Sequence, residues 1–227
     1  MTACFAYPKS AAFGRVVAKQ KIYDHASASA SLKELFVRQV DQINWRYKLA
    51  PETINLAATK SVKEVQVFGV SLKTGELDHA ILRAIDKAIP FPLLFEIGHR
   101  GRRKMIAAFK RPTASGTPQV SAYFESGWEA EDAPRQPLPT ALNLGGLYEK
   151  LIGSLIPLRA EEQEDVQTRV ERTEAINAKQ GEIERIRARL QREKQFNKRL
   201  AINAELRVAK KQLEELDRPS GAAGNEA

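Results

Sequence analysis

Between Glu161 and Asp217 the chain has no proline and one glycine, Gly181, and the rest is dense in Glu, Lys, Arg, Gln, Leu and Ile. A segment of that composition can form a long exposed helix or a coiled coil and little else. Ile176, Ile183 and Leu190 recur seven apart with Ile186 between them, and Leu206, Ala209, Leu213 and Leu216 repeat the three-four spacing of a coiled-coil seam. The stretch Arg192–Leu200 breaks that register. One continuous helix would run about 85 Å. An antiparallel hairpin bent near Glu193–Asn197 lets the two weak seams cover each other. Both arrangements satisfy the pattern, and the seam break favours the hairpin.

The preceding residues read as an α+β domain. Ser31 and Glu34 have capping-box spacing, and Leu32, Leu35, Phe36, Val40, Ile43 and Tyr47 recur at helical intervals, so a helix is expected over 32–48, ended by Pro51. Strands are expected at Thr53–Ala57, Val62–Leu72, Leu93–Ile97, Lys104–Lys110 and Val120–Glu125, with a hairpin turn around Gly101. Asp78 caps a helix over 79–88, and Thr140 caps another that reaches Leu155. The expectation is a mainly antiparallel sheet of four to five strands with packed helices, followed by a C-terminal helical hairpin. The divisions are 1–158 for the domain, 159–217 for the arm and 218–227 for a disordered tail.

Composition narrows the function classes. No run of about 18 apolar residues occurs, so no membrane span is expected. The start of the chain lacks the apolar stretch of a signal peptide, and Cys4 is the sole cysteine, which together suit a cytoplasmic protein. His25, His79 and His99 are scattered with no metal-ligand spacing, and no glycine-rich phosphate loop is present, so no metal, cofactor or catalytic residue is assigned. Trp45, Tyr123 and Trp128 read as core anchors. The net charge is +8, yet residues 159–217 hold 14 Lys/Arg against 13 Asp/Glu, so the excess lies in the domain. Candidate nucleic-acid contacts are Arg15, Lys19, Lys21, Tyr23 and His25, alternating along an extended segment, and the cluster Arg100, Arg102, Arg103 and Lys104. Lysines protecting an edge strand explain the first set equally well. Metal-dependent nuclease chemistry would draw on Glu64, Asp86 and Glu96, but their spacing does not reproduce a metal-binding pattern. Glu96 reads as an edge residue or a partner of Arg103 or Lys104, and Asp86–Lys87 as a surface ion pair.

Five segments together resemble the bacterial DUF4391 family. They are AFGRVVAKQKIYDH (12–25), KEVQVFGVSL (63–72), AIDKAIPFPLLFEI (84–97), RQPLPTALNLGGLYEKLIGSLIP (135–157) and QFNKRLAINAELRVAKKQLEEL (195–216). The resemblance spans almost the whole chain and brings no catalytic residues. It implies a genomic setting beside a SNF2-type helicase and a site-specific DNA methyltransferase, as in restriction-like or anti-phage islands. The expected role is a non-catalytic accessory subunit that docks a helicase or DNA methyltransferase through the arm, with Ile183, Ile186, Leu190, Leu206, Leu213 and Leu216 as docking residues and a basic surface able to meet nucleic acid. A metal-dependent nuclease and a stand-alone nucleic-acid-binding protein are the alternatives.

Overall fold

A computed structural model describes residues 4–111, 113, 118–161 and 164–218. The chain divides into two compact units, Met1–Pro157 and Leu158–Ala227. The first ends one residue before the expected boundary, and the expected tail lies outside the described residues beyond Arg218. In chain order the first unit contains β1 (Phe5–Ala6), a 3-10 turn at Lys9–Ala11, β2 (Ala12–Val16), α1 (Lys19–Ala26), α2 (Ala30–Gln39), β3 (Val40–Leu49), α3 (Pro51–Ile54), β4 (Val65–Leu72), α4 (His79–Ala88), β5 (Leu93–His99), β6 (Arg102–Arg111), β7 (Gln119–Glu125), β8 (Glu129–Ala130), β9 (Gln136–Pro137) and α5 (Leu144–Gly153). The second unit holds α6 (Val166–Arg192) and α7 (Phe196–Asp217).

The sheet runs β2-β3-β4-β5-β6-β7, with β8 extending the pairing of β6, so it has seven strands rather than four or five. All neighbours are antiparallel except β4 and β5, which are parallel and joined through α4. Two adjacent parallel strands need a crossover, and α4 supplies it. Its residues suit a crossover helix, since Asp78 accepts from Ala80 N at 2.8 Å and Ile81, Leu82, Ala84 and Ile85 are buried. Arg100 and Gly101 turn β5 into β6 with φ of 48° and 70°, the left-handed pair of a tight hairpin.

Several expectations fail for local reasons. The helix expected over 32–48 ends at Gln39, and Val40–Leu49 is strand β3. Val40, Ile43 and Tyr47 fit the helical period, but Ile43, Trp45, Tyr47 and Leu49 alternate, and the strand satisfies its backbone on both sides, against β2 and β4. Ser29, not Ser31, caps α2, by accepting from Leu32 N. Pro51 begins a helix at its first position instead of ending one, so Thr53–Ala57 is not a strand. Asn143, not Thr140, caps α5, accepting from Gly146 N at 2.9 Å.

One core lies on the face covered by α1, α2 and α4, where Phe36, Ile43, Phe68, Phe95, Ile97 and Ile106 are almost fully buried. Each such side chain contributes about 1.5–3 kcal/mol. Trp45, Tyr123 and Trp128 pack against this cluster as expected of anchors. On the other face α5 lies against β6, with Tyr148 stacked on Phe109 and its hydroxyl accepting from Lys110 N and donating to Ala108 O, across a break in the β6–β7 register.

The arm is a pair of antiparallel helices. Lys179 Nζ donates to Gln212 Oε1 at 2.9 Å, and Arg189 pairs with Glu205, so positions on α6 advance as those on α7 recede. The chain turns within Glu193–Gln195, without glycine or proline, at the bend that the seam break indicates.

Candidate functional site

Glu96 sits on the central strand β5 between Phe95 and Ile97, which point into the α4-side core, so its carboxylate faces the opposite way. Its side chain is 1% exposed and meets two guanidinium groups. Arg46 Nη1 lies 2.8 Å from Oε2, and Arg135 donates to Oε1 at 2.6 Å and to Oε2 at 3.0 Å. Local sequence makes room for this. Arg46 is the extra residue where the β3–β4 register slips between Trp45 and Tyr47, and a side chain on Gly69 would overlap its guanidinium. Glu96 is therefore neither at an edge nor paired with Arg103 or Lys104.

Arg135 comes from the loop before β9 and also donates to Phe5 O at 2.9 Å. Arg103 holds that loop from below: Nε donates to Glu129 at 2.9 Å, Nη1 to Glu131 O at 2.7 Å and Nη2 to Ala133 O at 2.5 Å. Parallel strands β1 and β9 thus form a strap tied to the sheet through Glu96. Beneath it Cys4 is fully buried, and burial, then a hydrogen bond with Glu129, push its thiol up to about 12. Tyr7 packs on Tyr47 with ring centres 4.5 Å apart, and burial, then the Glu96 charge, push its phenol well up. With both oxygens held by arginines, Glu96 is a tie rather than a base. Cys4 should resist alkylation at neutral pH in the native chain. Arg135→Ala should speed alkylation by roughly tenfold or more by freeing the strap. Equal rates, followed by intact mass, would mean the strap is held elsewhere.

The other carboxylates are also committed. Asp86, expected at the surface beside Lys87, is buried: Oδ1 lies 2.8 Å from Lys110 Nζ and Oδ2 accepts from Tyr123. Lys110 Nζ also donates to the carbonyls of Asp86, Ile89 and Phe91, at the end of α4 and just beyond. Glu64 accepts from Gln66 and pairs with Lys48 at 3.4 Å. Asp86 and Glu96 lie on opposite faces of the sheet, and among the described residues no group of three His, Cys, Asp or Glu could hold a metal ion.

The basic candidates divide. Only Arg15 of the first set is on a strand, β2, whereas Lys19, Lys21, Tyr23 and His25 are on helix α1, so the expected alternation on one extended face does not exist. Lys19 turns inward, donating to Val40 O at 2.5 Å, and Tyr23 packs edge-on against Phe36. Arg15, Lys21 and His25 nevertheless line one cavity of about 400 Å³, because Lys21 and His25 are one helical turn apart and face β2. In the second cluster Arg103 is buried and Lys104 is paired with Glu125 at 2.6 Å, leaving Arg100 and Arg102 exposed on the β5–β6 hairpin.

The proposed docking residues are used inside the arm. Ile183 and Ile186 are buried with Ile202 and Ala209, and Leu190, Leu206 and Leu213 pack on them, while Leu216 is half-buried. Sequence reasoning missed the outer face of α7. Phe196, Leu200 and Val208 are 78%, 64% and 58% exposed, with exposed Ala204 between them. Leu200, Ala204 and Val208 each lie two residues from a seam residue, about 200° round the helix, so they point away from α6. Their four-residue spacing was the available signal.

Among the described residues no helix is long and apolar enough to cross a membrane. No curated protein and no solved structure matches the chain. A family described as a domain of unknown function matches residues 5–213, which takes in the strap, the sheet, the buried Glu96 tie and nearly all of the arm, and the chain belongs to that family, DUF4391.

Proposed function

We propose that this protein is a non-catalytic accessory subunit of a bacterial DNA-processing or anti-phage complex, and that α7 docks a helicase or DNA methyltransferase. The observation that carries this reading is the outward row Phe196, Leu200, Ala204 and Val208, since exposed apolar side chains that recur one turn apart on one helix face make a contiguous patch of the kind that marks an interaction face. Along α7 the row is flanked on one side by Arg199, Arg207 and Lys211, each one or three residues from a member of the row. Its complement is an apolar groove with an acidic rim, which takes a helix by successive anchors about one turn apart. The buried carboxylates, each held by a cation, support a scaffold rather than a phosphodiester-cleaving centre. Of the candidate residues, Arg15, Lys21, Arg100 and Arg102 present exposed charges to nucleic acid.

Phe196→Asp with Leu200→Asp should weaken co-purification with the neighbouring helicase or methyltransferase by roughly 100-fold, since central apolar anchors dominate such interfaces. Both positions are exposed, so helicity and melting temperature should stay at the wild-type values. Undiminished capture by the double variant would remove α7 as the docking face. If the intact chain captures neither enzyme, the accessory-subunit reading fails.

A further inference from the structure

We infer that the cavity between β2, α1 and the end of α4 binds a nucleoside phosphate, with the base against an aromatic wall and the phosphate at Arg15 and Lys21. At about 400 Å³ the cavity has the size of a small-ligand site. Its wall is a run of rings: Phe13 and Trp45 have centres 3.9 Å apart, and Trp45 lies nearly parallel to Phe68 at 6.0 Å. Trp45 Nε1 is spent on Tyr47 O at 3.0 Å, which fixes the indole within this run of rings and leaves the wall without a hydrogen-bonding group of its own. A wall of that kind selects a flat group and accepts any base.

The rim selects the charge. Arg15 and Lys21 are exposed and have no carboxylate partner among the described residues, unlike Lys104, paired with Glu125, and Arg103, paired with Glu129. The Arg15 guanidinium rests over the Phe13 ring at 4.7 Å, so its donors are held at the mouth of the cavity. His25, which also lines the cavity, has Nδ1 2.7 Å from Lys21 O and must donate to it, which leaves Nε2 as the other ring nitrogen. Edge strand β2 reaches this position through a register break between Ala12 and Arg15 with Gly14 at φ 67°, a bulge that turns consecutive side chains toward the cavity. Flat apolar wall and anionic clamp together describe a base with its phosphate, whether free or as an unpaired unit of a strand. The inference deepens the nucleic-acid half of the proposed function and is independent of docking through α7.

The test is a fluorescence titration of the full chain carrying Trp128→Phe, so that Trp45 alone reports. The probes are adenosine monophosphate, a short oligothymidylate and inorganic phosphate at fixed ionic strength. Saturable quenching by either nucleotide probe is expected, weakened roughly tenfold or more by Arg15→Ala with Lys21→Ala, which removes the charged donors. Equal quenching by both nucleotides identifies a free-nucleotide pocket, and quenching by the oligonucleotide alone identifies an unpaired strand; either supports the site. Silence with both, no gain over inorganic phosphate, or full affinity in the charge variant overturns it. The Phe196→Asp, Leu200→Asp chain should bind the same probe undiminished, so loss of docking and loss of the pocket are read separately.

Discussion

Glu96→Ala is expected to destabilise the first unit by about 3–5 kcal/mol, because it leaves two arginines facing a buried position with no counter-charge. Arg46 and Arg135 are 37% and 26% exposed, so they keep some water, whereas Glu96 at 1% keeps none. Removal of one arginine is the milder change. Arg135→Ala leaves the carboxylate with Arg46 and should cost about 1–3 kcal/mol, mostly through the lost charged hydrogen bonds. Denaturant unfolding followed by tryptophan fluorescence measures both, since Trp45 and Trp128 lie in this unit. Glu96→Ala within about 0.5 kcal/mol of wild type would remove Glu96 as the tie, because that is the range of ordinary surface changes.

Lys110→Met is the second large effect, expected at about 3–5 kcal/mol. It strips Asp86 of its cation and the carbonyls of Asp86, Ile89 and Phe91 of their donor. In the wild type, burial pushes Asp86 up and Lys110 down, and the pair with the Tyr123 hydrogen bond offsets that cost. With the lysine gone, the raised carboxyl makes the loss depend on pH. The folded chain then holds a proton that the unfolded chain releases, so the variant is least impaired below about pH 4 and loses stability as pH rises above it. Adding Asp86→Asn should recover part of the loss at neutral pH. A loss that does not vary with pH, or a double variant weaker than the single, would show that the Asp86 charge is not what the lysine neutralises.

The elements readable from sequence are those whose signal is local. Asp78 and the buried stripe of α4, the Gly101 hairpin and the seam break before α7 each depend on residues within a turn or two, and each is found where expected. Strand β3 was not readable, because Val40, Ile43 and Tyr47 satisfy a helical period while the deciding partners, β2 and β4, are far along the chain. The candidate site divides in the same way. Arg15, Lys21 and His25 were identifiable as basic residues, but their convergence depends on a bulged strand meeting a helix rather than on the alternation that suggested them.

By itself the sequence determined a basic α+β body, a proline-free helical arm and the place where that arm bends, since composition and short-range periodicity suffice for these. Tertiary structure alone decided that Glu96 and Asp86 are buried ties, that Arg103 and Lys104 are spent while Arg15 and Lys21 are not, and that the arm's seam faces inward. Those outcomes turn on partners as far apart as Arg135 and Phe5 or Lys110 and Asp86. A charged residue reads the same in sequence whether water or another chain segment satisfies it, and only packing settles which.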